Sequence, residues 1–317
     1  MILKDLGEFS LIDRLSRIIF GIDRNIIANI GDDTACIRVC DNKNLLLTVD
    51  TQVENVHFIK DKIDPIDLGW KLSTSNVSDV VACGGIPKYA LISASLPKNL
   101  EVDFIEGVYY GIKEAQDFYG FKTVGGNITS SNQIIIDMTL IGESSTFIPR
   151  VGAKPGQYLY LTGYTGLSKA GLEILLSGKK DLTEAEQLLL KSHYRPIARL
   201  DKLSTLLKFA KSSIDISDGL VADIYHISKQ SKVKVIIQKD KIPIHPALLE
   251  YCKSTDRNPY DYIFYGGEDY QIVFTSDVFI EEEDIYLIGY ISEGEGVFLK
   301  ENGNLSKLYE KGFNHLL

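Results

Sequence analysis

Between Tyr158 and Thr275 the sequence changes its apolar period repeatedly, and this alternation limits the fold more than any other feature. Strand-like runs at Tyr158–Thr162, Ser213–Ser217, Lys234–Gln238 and Tyr270–Thr275 alternate with helical patterns at Ser168–Leu176, Thr183–Lys191, Arg199–Ala210 and Leu220–Gln230. A helix hides one stripe and a strand hides one or both faces, so a chain mixing the two must lay helices on a sheet. The pattern predicts an α/β unit and leaves the strand directions open.

The texture upstream differs. "NLLLTVDT" puts Leu45, Leu47 and Val49 on one face and Leu46, Thr48 and Asp50 on the other, a strand ending in an acid. Asp64, Pro65 and Asp67 supply a cap, a proline suited to the first helical position and an acid for the positive end of the dipole. A helix is expected from there to about Cys83, stopped by Gly84, Gly85 and Pro87, after which "KYALISASL" is extended. Apolar groups at Ile105, Val108, Ile112, Ala115 and Tyr119 have helical spacing, and "FKTVGGNITSSNQIIIDMTLIG" reads as two strands around a glycine-rich turn. At 317 residues the chain favours two domains, and the polar stretch "STFIPRVGAKPGQ" separates 1–146 from 147–317.

With 34 basic and 43 acidic residues the net charge is -9, which argues against a broad phosphate-backbone interface with nucleic acid. A negatively charged substrate would need a cation such as Mg²⁺, which an excess of carboxylates can hold. Cys36, Cys40, Cys83 and Cys252 lack the spacing of structural zinc sites and read as reduced thiols. No apolar run is long enough to cross a bilayer, so a cytoplasmic protein without membrane contact is expected.

In "SSIDISDGLVADI", strand alternation puts Asp215 and Ser217 on the face opposite Ile214 and Ile216, and Asp218 follows at the strand's end. Asp32 and Asp33 in "IGDDTA", Asp50, and Asp79 in "NVSD" also sit at element ends or among small residues. Each alone is best read as a cap or turn acid. Gathered in one place, such carboxylates would need cations. "VGGNI", "TGYTG" and "YGGEDY" are turns able to bring backbone N–H groups to an anion. The sequence contains no P-loop, dinucleotide fingerprint, nucleophile elbow or protein-kinase signature.

Taken in order, "GEFSLIDRL", "IGDDTA", "LTVDTQVENVHF", "GWKLSTSNVSDVVACGGIPKYALISASLP", "VGGNIT", "GAKPGQYLYLTG", "HYRPIARL", "DISDGLVAD" and "GGEDYQIVF" resemble the motif series of the thiamine-monophosphate kinases across nearly the whole chain. The resemblance implies an α/β (α+β) aminoimidazole ribonucleotide synthetase-like fold of two domains. The N-terminal sheets of a homodimer would pair into a barrel, and ATP would lie between the domains. It implies transfer of the γ-phosphoryl group of ATP onto thiamine monophosphate, giving thiamine diphosphate, with several Mg²⁺ ions.

By the same resemblance Asp32, Thr48, Asp50, Asp79, Asp215 and Asp218 match metal positions, with Val49 offering a main-chain oxygen and Asn127 standing where many relatives carry Asp. Tyr109, Gly126, Asn127, Arg150 and Ser217 match ATP contacts, and His57, Glu268 and Phe313 match positions near the thiamine substrate. Asp215, Asp218 and Arg150 carry the catalytic assignment, with no general base, because a phosphate monoester with a second pKa near ~6 is already ionised at neutral pH. The family's usual "GDS" is replaced by Gly166, Leu167 and Ser168, and Phe313 replaces a frequent Trp or Tyr.

Plainer readings stand beside these assignments. Trp70 and Tyr109 suit helix packing, Phe313 could anchor the tail, and His193, His226, His245 and His315 read as structural. Two other functions are compatible with the pattern. One is a related ATP-dependent synthetase with a different acceptor, although residues 1–20 lack the reactive cysteine expected of a selenophosphate-forming relative. The other is a non-catalytic module that binds nucleotide and metal.

Overall fold

A computed structural model describes residues 11–12, 23–28, 30–40 and 43–309. The first sheet comprises β1 (Ile26–Ala28), β2 (Ala35–Cys40), β3 (Lys43–Val53), β4 (Ile86–Leu96), β5 (Lys122–Ser130) and β6 (Ile135–Ser144), in the order β1-β2-β3-β6-β4-β5. Only β4 and β5 pair in parallel, joined by the crossover helix α2 (Val102–Tyr119), and helix α1 (Pro65–Ala82) links β3 to β4.

The expected start of α1 holds: the Asp64 carboxylate accepts from the Ile66 N–H at 2.8 Å, and Pro65 opens the helix. α1 is buried nearly all round, so its polar side chains must find partners inside. Ser73 donates to the Gly69 carbonyl, Ser75 and Asn76 to that of Leu72, and Ser78 reaches across to Asp215. Two glycines let α1 and α2 touch backbone to backbone. A Cβ at Gly69 would lie 1.9 Å from the Val108 carbonyl oxygen, and one at Gly111 would lie 1.8 Å from that of Ile66.

The second sheet comprises β7 (Tyr158–Thr162), β8 (Ser212–Asp215), β9 (Lys234–Gln238), β10 (Ile272–Ser276), β11 (Ile285–Ser292), β12 (Gly296–Glu301) and β13 (Asn304–Lys307). Their order is β13-β12-β9-β11-β7-β10-β8, antiparallel except for β9 and β12. Helices α3 (Leu167–Ser177), α4 (Glu184–Tyr194), α5 (Leu203–Phe209), α6 (Leu220–Ser231), α7 (Pro246–Ser254) and α8 (Pro259–Tyr265) pack with it. α4 begins with a capping box between Thr183 and Glu186.

One buried cluster lies within the second sheet and its helices, while the other runs from the first sheet through Trp70 to Tyr160, Leu206 and Phe274 of the second. Trp70 is a packing residue, as read: its Nε1 donates to the Pro196 carbonyl at 2.6 Å, and the Arg195 guanidinium lies 4.5 Å from its ring. All four cysteines are free thiols. Among the described residues no helix is long and apolar enough to cross a membrane.

The elements depart from expectation in four places. β3 does not end at Asp50 but continues to Val53. Gly125 and Gly126 lie inside β5 rather than in a turn, because β5 passes so close to β4 that a Cβ at Gly126 would meet the Ile92 carbonyl oxygen at 1.9 Å. The helix expected over 199–210 divides into a 3₁₀ turn at Leu200–Lys202 and α5. The strand expected over 213–217 stops at Asp215, where the next segment turns into α6.

Candidate active site

A cleft of about 830 Å³ opens where β3 and α1 of the first unit face the β8–α6 turn, α3, and the 266–270 segment of the second. Asp50 and Asp79 line it from one side, and Asp215, Ser217 and Asp218 from the other. Asp33, Asp79 and Asp215 bring one carboxylate oxygen each within 4.8 Å of one another. Thr48 donates to Asp79, Ser78 donates to Asp215 at 2.7 Å, and the Asp50 N–H donates to Asn76 at 3.2 Å. Burial, and then the neighbouring acids, push the Asp79 and Asp215 carboxyls well above the usual carboxylate range.

Such a cluster suits a hard divalent cation, which binds oxygen and relieves both the desolvation and the repulsion. Asp33 Oδ2 is buried with no hydrogen-bond partner, as a carboxylate reserved for such an ion would be. A second grouping, Asp32, Asp33 and Cys83, is less suited, because burial and the two acids hold the thiol protonated. Asp32 is pushed up to about 6 by burial and by Asp33, and its carboxylate accepts from the Arg150 N–H at 3.2 Å.

Arg150 is the counterion to this acid group. Its Nε donates to Asp33 at 2.9 Å and its Nη2 also bonds the same oxygen. Burial opposes the charge on the guanidinium, and the Asp33 carboxylate overrides that and holds it protonated. Asp33 is therefore central to the site, and sequence reading singled out Asp32 instead. Adjacent aspartates after a glycine give no sign of which one faces inward.

The turn after β8 is held from beneath by Asp223. Its Oδ2 accepts from the N–H groups of Ser217, Asp218 and Gly219 at 3.1, 3.2 and 3.1 Å. Sequence reading passed over Asp223, although an acid five residues after Asp218, one turn into a helix, was the available sign. Replacing Asp223 by Ala removes three bonds to a buried acceptor and is expected to lower stability by about 1–3 kcal/mol. Urea unfolding should show this loss, and kcat should fall with it because the turn carries Asp218.

The opposite wall of the cleft is built on the 266–270 segment. Gly267 approaches so closely that a Cβ there would meet the Ser217 carbonyl oxygen at 2.4 Å. The N–H groups of Glu268 and Tyr270, both at positive φ, donate to Ser217 and Ile216 at 2.8 and 2.9 Å. Lys71, 1% exposed on α1, places its ammonium 2.8 Å from Glu268. Burial alone would raise the Glu268 carboxyl; Lys71 outweighs it and keeps the group below the usual range.

His193 lies 3.7 Å from Glu268 and shares a hydrogen bond with Ser168, but burial and Lys71 lower it to about 3, so the ring is neutral. The neighbouring Asp269 accepts from the N–H groups of Gly166 and Ser168, which secures the start of α3 where the expected "GDS" is altered.

Of the residues expected from sequence, Asp50, His57, Asp79, Asp215, Ser217, Asp218 and Glu268 line the cleft together. Thr48 adjoins it through Asp79 and Arg150 through Asp33. Val49 turns its side chain to the other face of the sheet, 60% exposed. Tyr109 on α2, and Gly126 and Asn127 on the edge strand β5, are not among the cleft-lining residues. Phe313 lies outside the described residues.

The two-sheet architecture and the acid-lined cleft define an AIR synthase-related protein, and the family model for the "AIR synthase related protein, N-terminal domain" matches residues 31–144. Thiamine-monophosphate kinase of Aquifex aeolicus is 44% identical over 317 residues, covering 99% of this chain and 100% of the relative, and that of Pyrococcus horikoshii is 33% identical, covering 90% and 91%. The chain belongs to the thiamine-monophosphate kinase family. A solved structure of AaThiL complexed with AMPPCP and TMP superposes with a TM-score of 0.93 at 44% identity, covering 99% of each chain. Hydrogenase maturation protein HypE of E. coli, at 17% identity and a TM-score of 0.68 over 98% of this chain and 99% of its own, shares the fold.

Proposed function

We propose that this chain transfers the γ-phosphoryl group of ATP to thiamine monophosphate, forming thiamine diphosphate and ADP. The observation that carries the reading is the full-length match, at a TM-score of 0.93, to a relative complexed with AMPPCP and TMP. Two members of the buried acid cluster, Asp79 and Asp215, line the cleft of about 830 Å³, and Asp33 lies behind them.

Asp33, Asp79 and Asp215 would hold Mg²⁺, with Asp32, Thr48, Asp50, Asp218 and the Val49 main chain as further donors, while Asn127, on the edge strand three places from β3, would serve a separate ion. Bound Mg²⁺ would offset repulsion between the two anionic substrates and charge on the leaving ADP. The acceptor phosphate is ionised at neutral pH, so no side chain need remove a proton. Asp223 positions Asp218 and Ser217, and Arg150 offsets part of the burial that pushes the Asp33 carboxyl up and would approach a phosphate with its guanidinium. Glu268, held anionic by Lys71, faces the cationic end of the acceptor.

The test is ADP release by purified protein with Mg²⁺ and ATP, with and without thiamine monophosphate, using thiamine and thiamine diphosphate as controls. Release only with the monophosphate supports the kinase. ATP binding without release would favour a non-catalytic module, and release with another acceptor a related synthetase.

The N-terminal and C-terminal units, 1–146 and 147–317, are proposed as the domains, and the first as a dimerisation domain in a cytoplasmic enzyme. Register places Val49, Thr139 and Leu91 in one row across three strands and Leu47, Ile141 and Tyr89 in the next, on the face away from α1. Val49, Leu91 and Tyr89 are exposed there, and a second copy's sheet would cover them as the two close into a barrel. Light scattering should give the mass of two chains, and Leu91→Lys should give the mass of one. A wild-type monomer would contradict this pairing.

A further inference from the structure

The side-chain amide oxygen of Gln52 is buried in the cleft wall without a hydrogen-bond partner. Gln52 is 3% exposed and lines the cleft, and its Oε1 is buried with no hydrogen bond. Buried polar groups are ordinarily satisfied, and an orphaned one costs about 1–3 kcal/mol. The other such side-chain atoms among the described residues belong to Asp33, Thr34, Thr123 and Ser213, and none of these residues lines the cleft. Gln52 alone combines burial, an unmet acceptor and a place at the ligand cavity.

Its position selects the ligand group. Strand alternation puts Thr48, Asp50 and Gln52 on one face of β3. Thr48 bonds Asp79 and Asp50 bonds Asn76, so β3 runs antiparallel to α1 and each two-residue step advances about one helical turn. The next step carries Gln52 away from the acid cluster, towards the turn of α1 that holds Lys71 and, through it, Glu268. Gln52 therefore belongs to the acceptor end of the cleft.

We propose that Gln52 determines acceptor specificity by pairing its amide with the aminopyrimidine edge of thiamine monophosphate. This inference rests on the kinase reading above. The amide oxygen accepts from the exocyclic amine while the amide NH₂ donates to the adjacent ring nitrogen. The geometry is that by which Gln and Asn read the amine and ring nitrogen of adenine. A site built to hydrogen-bond a substrate group rejects an analogue lacking it, because its own buried partner is then left unpaired.

The test compares wild type, Gln52→Leu and Gln52→Glu, with thiamine monophosphate and with the analogue carrying hydrogen in place of the ring amine. Wild type should prefer the natural acceptor by roughly 10–100-fold in kcat/KM. Gln52→Leu should lose most of that preference through a raised acceptor KM, with the KM for ATP unchanged. Gln52→Glu, which can accept from the amine but repels the ring nitrogen, should retain part of it.

The unliganded Gln52→Leu protein should melt no lower than wild type, since the change removes a buried amide oxygen with no partner. Retained discrimination in both variants, or a large fall in melting temperature for Gln52→Leu, would overturn the proposal. A wild-type protein that forms no thiamine diphosphate would overturn the kinase reading and this inference with it. A wild type that forms it without preferring the amine would overturn this inference alone.

Discussion

Asp215→Asn is expected to lower kcat by roughly 10²–10³-fold, the loss typical when one preorganised electrostatic partner of a reacting group is removed. The folded protein should remain as stable or become more so. Asp215 is 2% exposed, shares its site with Asp33 and Asp79, and accepts from Ser78, a bond that an amide oxygen can keep. The substitution removes a charge from a group whose burial and mutual repulsion oppose ionisation. It also weakens cation binding, so more Mg²⁺ should be needed for half-maximal rate. Activity assays paired with thermal unfolding separate the two effects. A variant that is inactive because it unfolds would mark Asp215 as structural.

Arg150→Met is expected to have the larger effect on stability, a loss of about 3–5 kcal/mol. The Asp33 side chain is fully buried and meets Arg150 through two nitrogens, while its other oxygen has no partner. Removing the guanidinium leaves a buried carboxylate beside Asp79 and Asp215 with no compensating protein charge. Two accompanying results would identify this cause. Mg²⁺ should restore part of the lost stability, because a cation can take the place of the missing charge. Adding Asp33→Asn should also restore part of it, because the uncompensated charge is then gone. If urea unfolding shows less than about 1 kcal/mol of loss, Arg150 is not the counterion of the cluster.

Much of this site was legible in the sequence, and its gaps have physical causes. Asp79, Asp215 and Asp218 could be selected because each falls at an element end or among small residues, whereas Asp50 was selected as a strand end and lies inside β3. The helix over 65–82 could be read from its cap and proline, but not its burial on every side, which depends on Gly69 and Gly111 admitting the backbone of the neighbouring helix. The Gly125–Gly126 pair looked like a turn because its second residue meets a steric demand from a strand more than thirty residues away. Asp33 was hidden for a similar reason: its partner Arg150 lies 117 residues along the chain. Gln52 and Asp223 both lie within recognisable motifs, "LTVDTQVENVHF" and "DISDGLVAD", but the motifs do not say what either side chain faces, and their roles follow from that. The strands over 285–307 went unread, and β11 and β12 complete a sheet whose sole parallel pair joins β9 to β12.

The measurement that addresses the central claim most directly is isotope transfer. The protein is incubated with Mg²⁺, thiamine monophosphate and ATP carrying ¹⁸O on its γ-phosphoryl oxygens, and the products are analysed by mass spectrometry. Direct transfer in the acid-lined cleft predicts thiamine diphosphate with the label in its terminal phosphate, formed in step with ADP. Labelled inorganic phosphate with no labelled thiamine diphosphate would contradict the account.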